Sequence, residues 1–84
     1  MADNRIRIIW STTAGDLEAD FPVNQPLKAL KREVMARLKL DPSQAEQFVV
    51  TREGNILDES RTLEQLGIQP GAILVIERRE VVKI

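Results

Sequence analysis

The side chains that could do chemistry in this chain are carboxylates and serine hydroxyls, because its 84 residues include neither histidine nor cysteine. Those two absences remove the imidazole base and the thiolate nucleophile on which much acid–base and covalent catalysis depends. The serines are Ser11, Ser43 and Ser60, and the sequence shows no base for any of them. We therefore expect no enzymatic activity.

The carboxylates form two groups that resemble paired acids or the oxygen ligands of a hard cation. One group is the pair Asp58-Glu59, and the other is the row Asp16, Glu18 and Asp20. The pair lies in a predicted turn, and the row alternates along a predicted strand, where acids discourage pairing between sheet edges. The glycines are scattered turn residues and form no phosphate-binding loop. We expect no metal and no cofactor.

Composition indicates one small globular domain. Apolar residues make up 43% of the chain and charged residues 30%, and the formal net charge is −1. This balance is typical of a folded domain and gives no general attraction to nucleic acid or to an anionic membrane. The chain has no apolar run of about 20 residues, the length of a membrane span, and Met1-Ala2-Asp3-Asn4 is not a signal peptide. We expect a single cytoplasmic domain over residues 1–84, with its core at about 5–78 and a tail at 79–84.

One amphipathic helix is predicted over about residues 26–39, and the rest of the chain is expected to form around it. Pro26 suits the first turn of a helix, and Asn24 is placed to cap it. Asp41-Pro42 ends the helix, because a residue before proline avoids the helical conformation. The apolar stripe consists of Leu27, Leu30, Val34 and Leu38.

The opposite side of this helix is basic. We interpret it as a solvated face with a Glu33–Arg37 ion pair, and a docking patch for an acidic partner is the alternative. The basic residues are Lys28, Lys31, Arg32, Arg37 and Lys39.

Alternating apolar and polar residues predict strands over residues 5–10 and 16–23, joined by a short turn as an antiparallel hairpin. Shorter apolar runs predict strands over residues 47–51 and 72–76. The stub Ile56-Leu57 lies between them.

Thr62 and Gln65 have the spacing of a capping box, which predicts a single helical turn over about residues 63–66. Gly67 follows as the residue that ends the turn. A hairpin, a crossover helix and further strands give an α+β domain, in which a mixed sheet has one face covered by one helix.

This order of elements, together with particular residues, resembles ubiquitin and its β-grasp relatives. The resemblance covers about residues 5–78 and implies a four- to five-stranded mixed sheet. It is carried by Arg61-Thr62-Leu63, by Leu66-Gly67-Ile68-Gln69-Pro70-Gly71 and by Asp41-Pro42-Ser43-Gln44 after the helix.

The resemblance also implies a binding surface on the sheet face that the helix leaves uncovered. Residues 48–50 and 72–76 are apolar on both faces, which a half-covered sheet does not require. By analogy with the family, Ile73 and Val75 point inward, so that Leu74 and Ile76 point outward. The expected patch consists of Ile9, Val49, Leu74 and Ile76, with Gln47 and Arg78 at its rim.

We expect a non-catalytic ubiquitin-like module that binds a protein partner through this patch, as a monomer or with weak self-association. Conjugating relatives end in Gly-Gly, whereas this tail reads Arg78-Arg79-Glu80-Val81-Val82-Lys83-Ile84, so conjugation is not expected. The tail itself is an alternative cover for the patch.

Three other functions are open on the sequence alone. One is an accessory β-grasp subunit of a larger complex, as in bacterial secretion or monooxygenase systems. Another is a modifier domain trimmed of its Gly-Gly end. The last, an edge-strand binder like the Ras-binding β-grasp domains, is disfavoured because Glu18 and Asp20 lie where those domains carry basic residues.

Overall fold

The computed structural model describes residues 4–80. The expectations about the N-terminal Met1-Ala2-Asp3 and about the tail at Val81-Val82-Lys83-Ile84, including its lack of Gly-Gly, lie outside the described residues. No helix in the described part of the chain is long and apolar enough to cross a membrane. In chain order the elements are β1 Arg5–Thr12, β2 Gly15–Pro22, α1 Leu27–Arg37, a 3-10 helix Pro42–Gln47, β3 Phe48–Arg52, β4 Asn55–Ile56 and β5 Ala72–Arg78.

The five strands form one mixed sheet in the order β2-β1-β5-β3-β4. β1 is antiparallel to β2 and parallel to β5, and β3 is antiparallel to both β5 and β4. The predicted α+β class and the mixed sheet are confirmed. The last of these strands, β5, thus occupies the centre of the sheet, and β2 and β4 lie at its edges.

The predicted hairpin forms the first two strands. Its register places Ile8 opposite Ala19 and Trp10 opposite Leu17, so these alternate residues share one face. Across the turn, the Thr12 hydroxyl donates to the carbonyl of Gly15 at 2.8 Å.

The start of α1 is capped by backbone from a distant loop. Pro26 is the N-cap residue and no side chain caps the helix, so the prediction that Asn24 caps it is wrong. Instead the first two helical amides donate to the carbonyls of Arg61, at 2.9 Å, and Glu59, at 3.1 Å. These bonds satisfy donors that a side-chain cap would otherwise take, and they join the helix to the loop before the capping box.

The helix ends slightly earlier than predicted. Its last residue is Arg37, Leu38 is the C-cap, and Lys39 adopts a positive φ of 63°. The chain then enters the 3-10 helix at Pro42, where the sequence predicts a stop.

The predicted capping box is present. The Gln65 amide donates to the Thr62 hydroxyl at 3.0 Å, and the Thr62 amide donates to the Gln65 side chain at 3.1 Å. The amide of Leu66 donates to the carbonyl of Thr62, which closes one hydrogen-bonded turn, and Gly67 ends it with a φ of 69°.

Two aspartates organise the turns on either side of β3. Asp58 accepts hydrogen bonds from both the amide and the hydroxyl of Ser60, and Asp41 accepts the same pair from Ser43. The side-chain hydrogen bond contributes most to lowering the pKa of each carboxyl, and the backbone bond adds to it.

The core lies between α1 and the inner face of the sheet. Trp10 and Phe21 meet edge to face with ring centroids 5.8 Å apart. Lys31, on the helix side of this core, is also buried, although its side chain is charged. The largest fully buried side chains are Trp10, Phe21, Ile8, Leu27, Leu30, Met35, Leu63, Leu74, Ile76, Val34, Val49 and Val50.

Candidate functional site: the outer face of the sheet

The sheet has an outer face that α1 does not cover, and strand pairing determines which residues lie there. Trp10 is buried in the core and pairs with Leu74, so both belong to the inner face. Ile9 pairs with Ile73, and both therefore belong to the outer face. Alternation continues this assignment along β5, so that Val75 is also on the outer side.

The predicted orientation of β5 is wrong by one residue. Leu74 and Ile76 are 0% and 1% exposed and belong to the core, whereas Ile73 is 57% exposed. A strand that is apolar at every position does not indicate which alternate residues point into the core, because a shift of one residue exchanges the two faces. The parallel pairing with β1 decides it, and that pairing is not visible in the sequence.

Val49 is not surface-exposed either. It pairs with Glu77 on the outer side of the sheet, yet it is only 1% exposed and is not part of the main core cluster. The position beside Val49 on β5 thus carries a carboxylate, where an apolar patch residue was expected. Thr51 donates to that carboxylate at 2.9 Å, which makes this corner of the face polar.

The two predicted rim residues lie apart from the exposed apolar centre. Gln47 is exposed at the end of the 3-10 helix, before β3 begins. Arg78 pairs with Phe48, and its guanidinium lies 5.4 Å from the centre of the Phe48 ring. Arg78 also contacts Glu80 at 2.7 Å, so its charge is engaged away from Ile73.

Of the four predicted patch residues, only Ile9 is partly exposed on the outer face. The structure places it beside Ile73 and near Val75, and neither of these was predicted to face outward. We call Ile9, Ile73 and Val75 the outer patch. Within residues 4–80, Ile73 and Ile56 are the large apolar residues that are exposed, at 57% and 41%.

The border of the outer patch on the β2 side is charged. Arg7 lies 3.5 Å from Glu18 and 3.4 Å from Asp20 on the neighbouring strand, and all three side chains are about half exposed. Exposed ion pairs of this kind add little stability, but they make this border of the patch polar. On the other side, a depression of about 320 Å³ opens beside Ile73 and Val75. It is bounded there by Arg52 and Glu53.

Nothing in the described chain assembles a metal centre: residues 4–80 contain no cluster of three or more acidic, histidine or cysteine side chains suited to one. The outer patch is apolar at its centre and charged at its border. Such a surface can bury area against another molecule.

The fold is similar to that of solved ubiquitin and ubiquitin-like proteins. A ubiquitin of Caldiarchaeum subterraneum is 28% identical, with a TM-score of 0.76 over 90% of this chain and 95% of its own. A de novo protein designed on the basis of ubiquitin is also 28% identical, with a TM-score of 0.74 over 89% of each chain. A chain from a study of molecular mimicry of SUMO in DNA repair has a TM-score of 0.80 over 90% of this chain and 94% of its own. At 17% identity, that likeness concerns the fold alone.

No protein-family model matches the chain, and no curated protein matches it. The strand order, the crossover helix and the solved neighbours together define the class: this is a ubiquitin-like protein with the β-grasp fold.

Proposed function

We propose that this chain is a non-catalytic interaction module that binds a partner protein through the outer patch. The observation that carries the proposal is Ile73, which is 57% exposed on the central strand of the sheet. Ile9 adjoins it on β1 and is only half-buried. An exposed apolar residue in mid-sheet is not required by the fold, whereas it suits the centre of an interface.

The surroundings of Ile73 support binding of another protein. Interfaces commonly have an apolar centre inside a polar rim. Here Arg7 with its acidic partners forms one side of the rim, and Arg52 with Glu53 forms the other. Burying the Ile73 side chain would contribute about 1.5–3 kcal/mol before the costs of association are subtracted. The depression beside Ile73 has room for a side chain of the partner.

The sequence supports a non-catalytic role, since the chain has no histidine and no cysteine. Recognition by a rigid surface needs neither of them. The partner suited to this surface presents an apolar side chain to Ile73 and polar groups to the charged rim.

The test is affinity purification with the full chain and two variants. Ile73→Glu places a charge at the centre of the outer patch, and Thr13→Glu adds the same charge at the exposed hairpin turn. We expect proteins captured by the wild type to be retained by Thr13→Glu and lost with Ile73→Glu. Capture that survives Ile73→Glu would refute the proposal, provided that circular dichroism shows both variants folded.

A further inference from the structure

A second surface lies where α1 meets the 3-10 helix and the segment 56–60. A cavity of about 470 Å³ opens there, within the range of sites that hold small ligands or a few side chains. We call it the basic groove. Its basic side chains are Lys28, Lys31, Arg32 and Arg79, and its aliphatic ones are Ala45, Val49, Ile56 and Leu57.

The groove also carries three acidic residues, Glu46, Asp58 and Glu59. Glu59 lies 2.6 Å from the ammonium group of Lys31, which also donates to the carbonyl of Phe48 at 2.9 Å. The side chain of Lys31 is 4% exposed, so this ion pair is largely buried and the two charges neutralise each other. Asp58 accepts two hydrogen bonds from Ser60. The four basic and three acidic side chains leave the groove one unit of net positive charge, and because Glu59 neutralises Lys31, the cations open to a ligand are Lys28, Arg32 and Arg79.

Lys28 and Arg32 supply that charge. They lie one turn apart on the exposed side of α1, and neither side chain forms a hydrogen bond or an ion pair within residues 4–80. Like charges at this spacing repel each other and slightly destabilise a helix. A negatively charged ligand between them would relieve the repulsion.

Arg79 is already held in position. Its Nε and Nη2 donate to the carbonyl of Glu46 at 3.2 and 3.1 Å, and its backbone amide donates to the carbonyl of Gln47 at 2.7 Å. A guanidinium has five N–H donors, so three remain for a ligand. A cation fixed in this way needs little further ordering when a carboxylate arrives.

We propose that the basic groove binds a peptide segment of a partner protein in which an acidic residue adjoins an aliphatic one. The carboxylate would lie among Lys28, Arg32 and Arg79, and the aliphatic side chain would contact the wall at Ile56. A free phosphate would use the cations and leave the aliphatic wall bare, so the lining favours a peptide. This site is separate from the outer patch and does not depend on it.

The test is titration of the isotope-labelled full chain, followed by amide NMR shifts, with three probes. They are a blocked peptide of alternating glutamate and valine, the same peptide with lysine for glutamate, and inorganic phosphate. The glutamate peptide should shift the amides of Arg32, Ile56 and Arg79 in a saturable way that weakens as salt is added. Equal shifts with the lysine peptide, or the same shifts with phosphate alone, would overturn the proposal.

A matched pair of variants completes the experiment. Arg32→Glu should weaken binding of the glutamate peptide about tenfold or more, which is about 1.4 kcal/mol. Lys39→Glu changes the net charge equally just beyond α1, outside the groove, and should leave the affinity nearly unchanged. Binding unaffected by Arg32→Glu would contradict the proposal. Ile73→Glu, which tests the outer patch, should have no effect here.

Discussion

Lys31 is the one charged side chain that the described fold buries, and its partners explain how. Its ammonium group lies 2.6 Å from Glu59 and donates to the Phe48 carbonyl at 2.9 Å. A buried cation is tolerated when it is paired and hydrogen-bonded. The contact joins three segments that are distant in sequence: the helix, the start of β3 and the loop before the capping box.

The first prediction concerns this pair. Lys31→Met keeps most of the side-chain volume but leaves Glu59 and the Phe48 carbonyl without their partner. We expect a loss of about 1–3 kcal/mol in the free energy of unfolding, measured by urea denaturation.

The control for Lys31→Met is Lys28→Met, an exposed neighbour whose change should stay within about 0.5 kcal/mol. Lys31→Met with Glu59→Leu should recover part of the loss, because no carboxylate is then left unpaired. Equal effects of the two single lysine variants would show that the buried pair does not stabilise the fold.

Asp58 gives the second prediction at this scale. The hydrogen bonds from Ser60 lower the pKa of Asp58 in the folded chain. A group with a lowered folded-state pKa stabilises the fold above its unfolded pKa, about 3.9, and this contribution disappears as the pH falls through the folded value.

The melting temperature of Ser60→Ala should therefore lie below that of the wild type at neutral pH, and the difference should narrow below about pH 4. Thermal melts across this range measure it. A difference that stays constant down to strongly acidic pH would contradict the assignment.

At the scale of elements, β5 determines both the core and the outer patch. It lies between β1 and β3, and its residues alternate between the two faces. Leu74 and Ile76 fill the space beneath α1, so the same strand that presents Ile73 to the surroundings also anchors the fold.

Because residues of β5 alternate between the core and the outer face, truncating two neighbouring side chains should reduce the free energy of unfolding by unequal amounts. Leu74→Ala should reduce the free energy of unfolding by about 2–5 kcal/mol, since it leaves a cavity in the core. Ile73→Ala should cost less than about 1 kcal/mol, because more than half of that side chain is already in water. Denaturant titration of both variants tests this. If Ile73→Ala proved the more costly of the two, Ile73 rather than Leu74 would have to face the core.

The sequence predicts the elements well, because each depends on local signals. The stripe of α1, the hairpin alternation and the Thr62–Gln65 capping box are all readable within a few residues. The orientation of β5 depends on the distant pairing of Trp10 with Leu74, which no local pattern specifies. The helix cap is unpredictable for the same reason, since its acceptors come from the 59–61 loop.

At the scale of the whole molecule, the outer patch and the basic groove lie on different surfaces of one small domain. The outer patch belongs to the central strands, whereas the basic groove lies beyond β3, between α1 and the 56–60 segment. The two proposals can therefore fail or succeed separately. A protein that used both surfaces could contact two partners, or two parts of one partner, at the same time.

The exposed edge of the sheet gives the last prediction. Within residues 4–80, β2 pairs only with β1 and therefore forms one edge of the sheet. Its acids Glu18 and Asp20 lie on the outer face and pair with Arg7. Charged residues on an edge strand hinder pairing between molecules, both by repulsion and by the cost of losing their hydration.

Glu18→Val with Asp20→Val should therefore increase self-association, seen as a rise in average mass with concentration in sedimentation equilibrium. Glu33→Val with Glu64→Val removes the same charge from exposed positions outside the sheet and serves as the control. If both double variants associate equally, loss of net charge explains the effect. If only the β2 variant associates, its acids protect this edge against pairing between molecules.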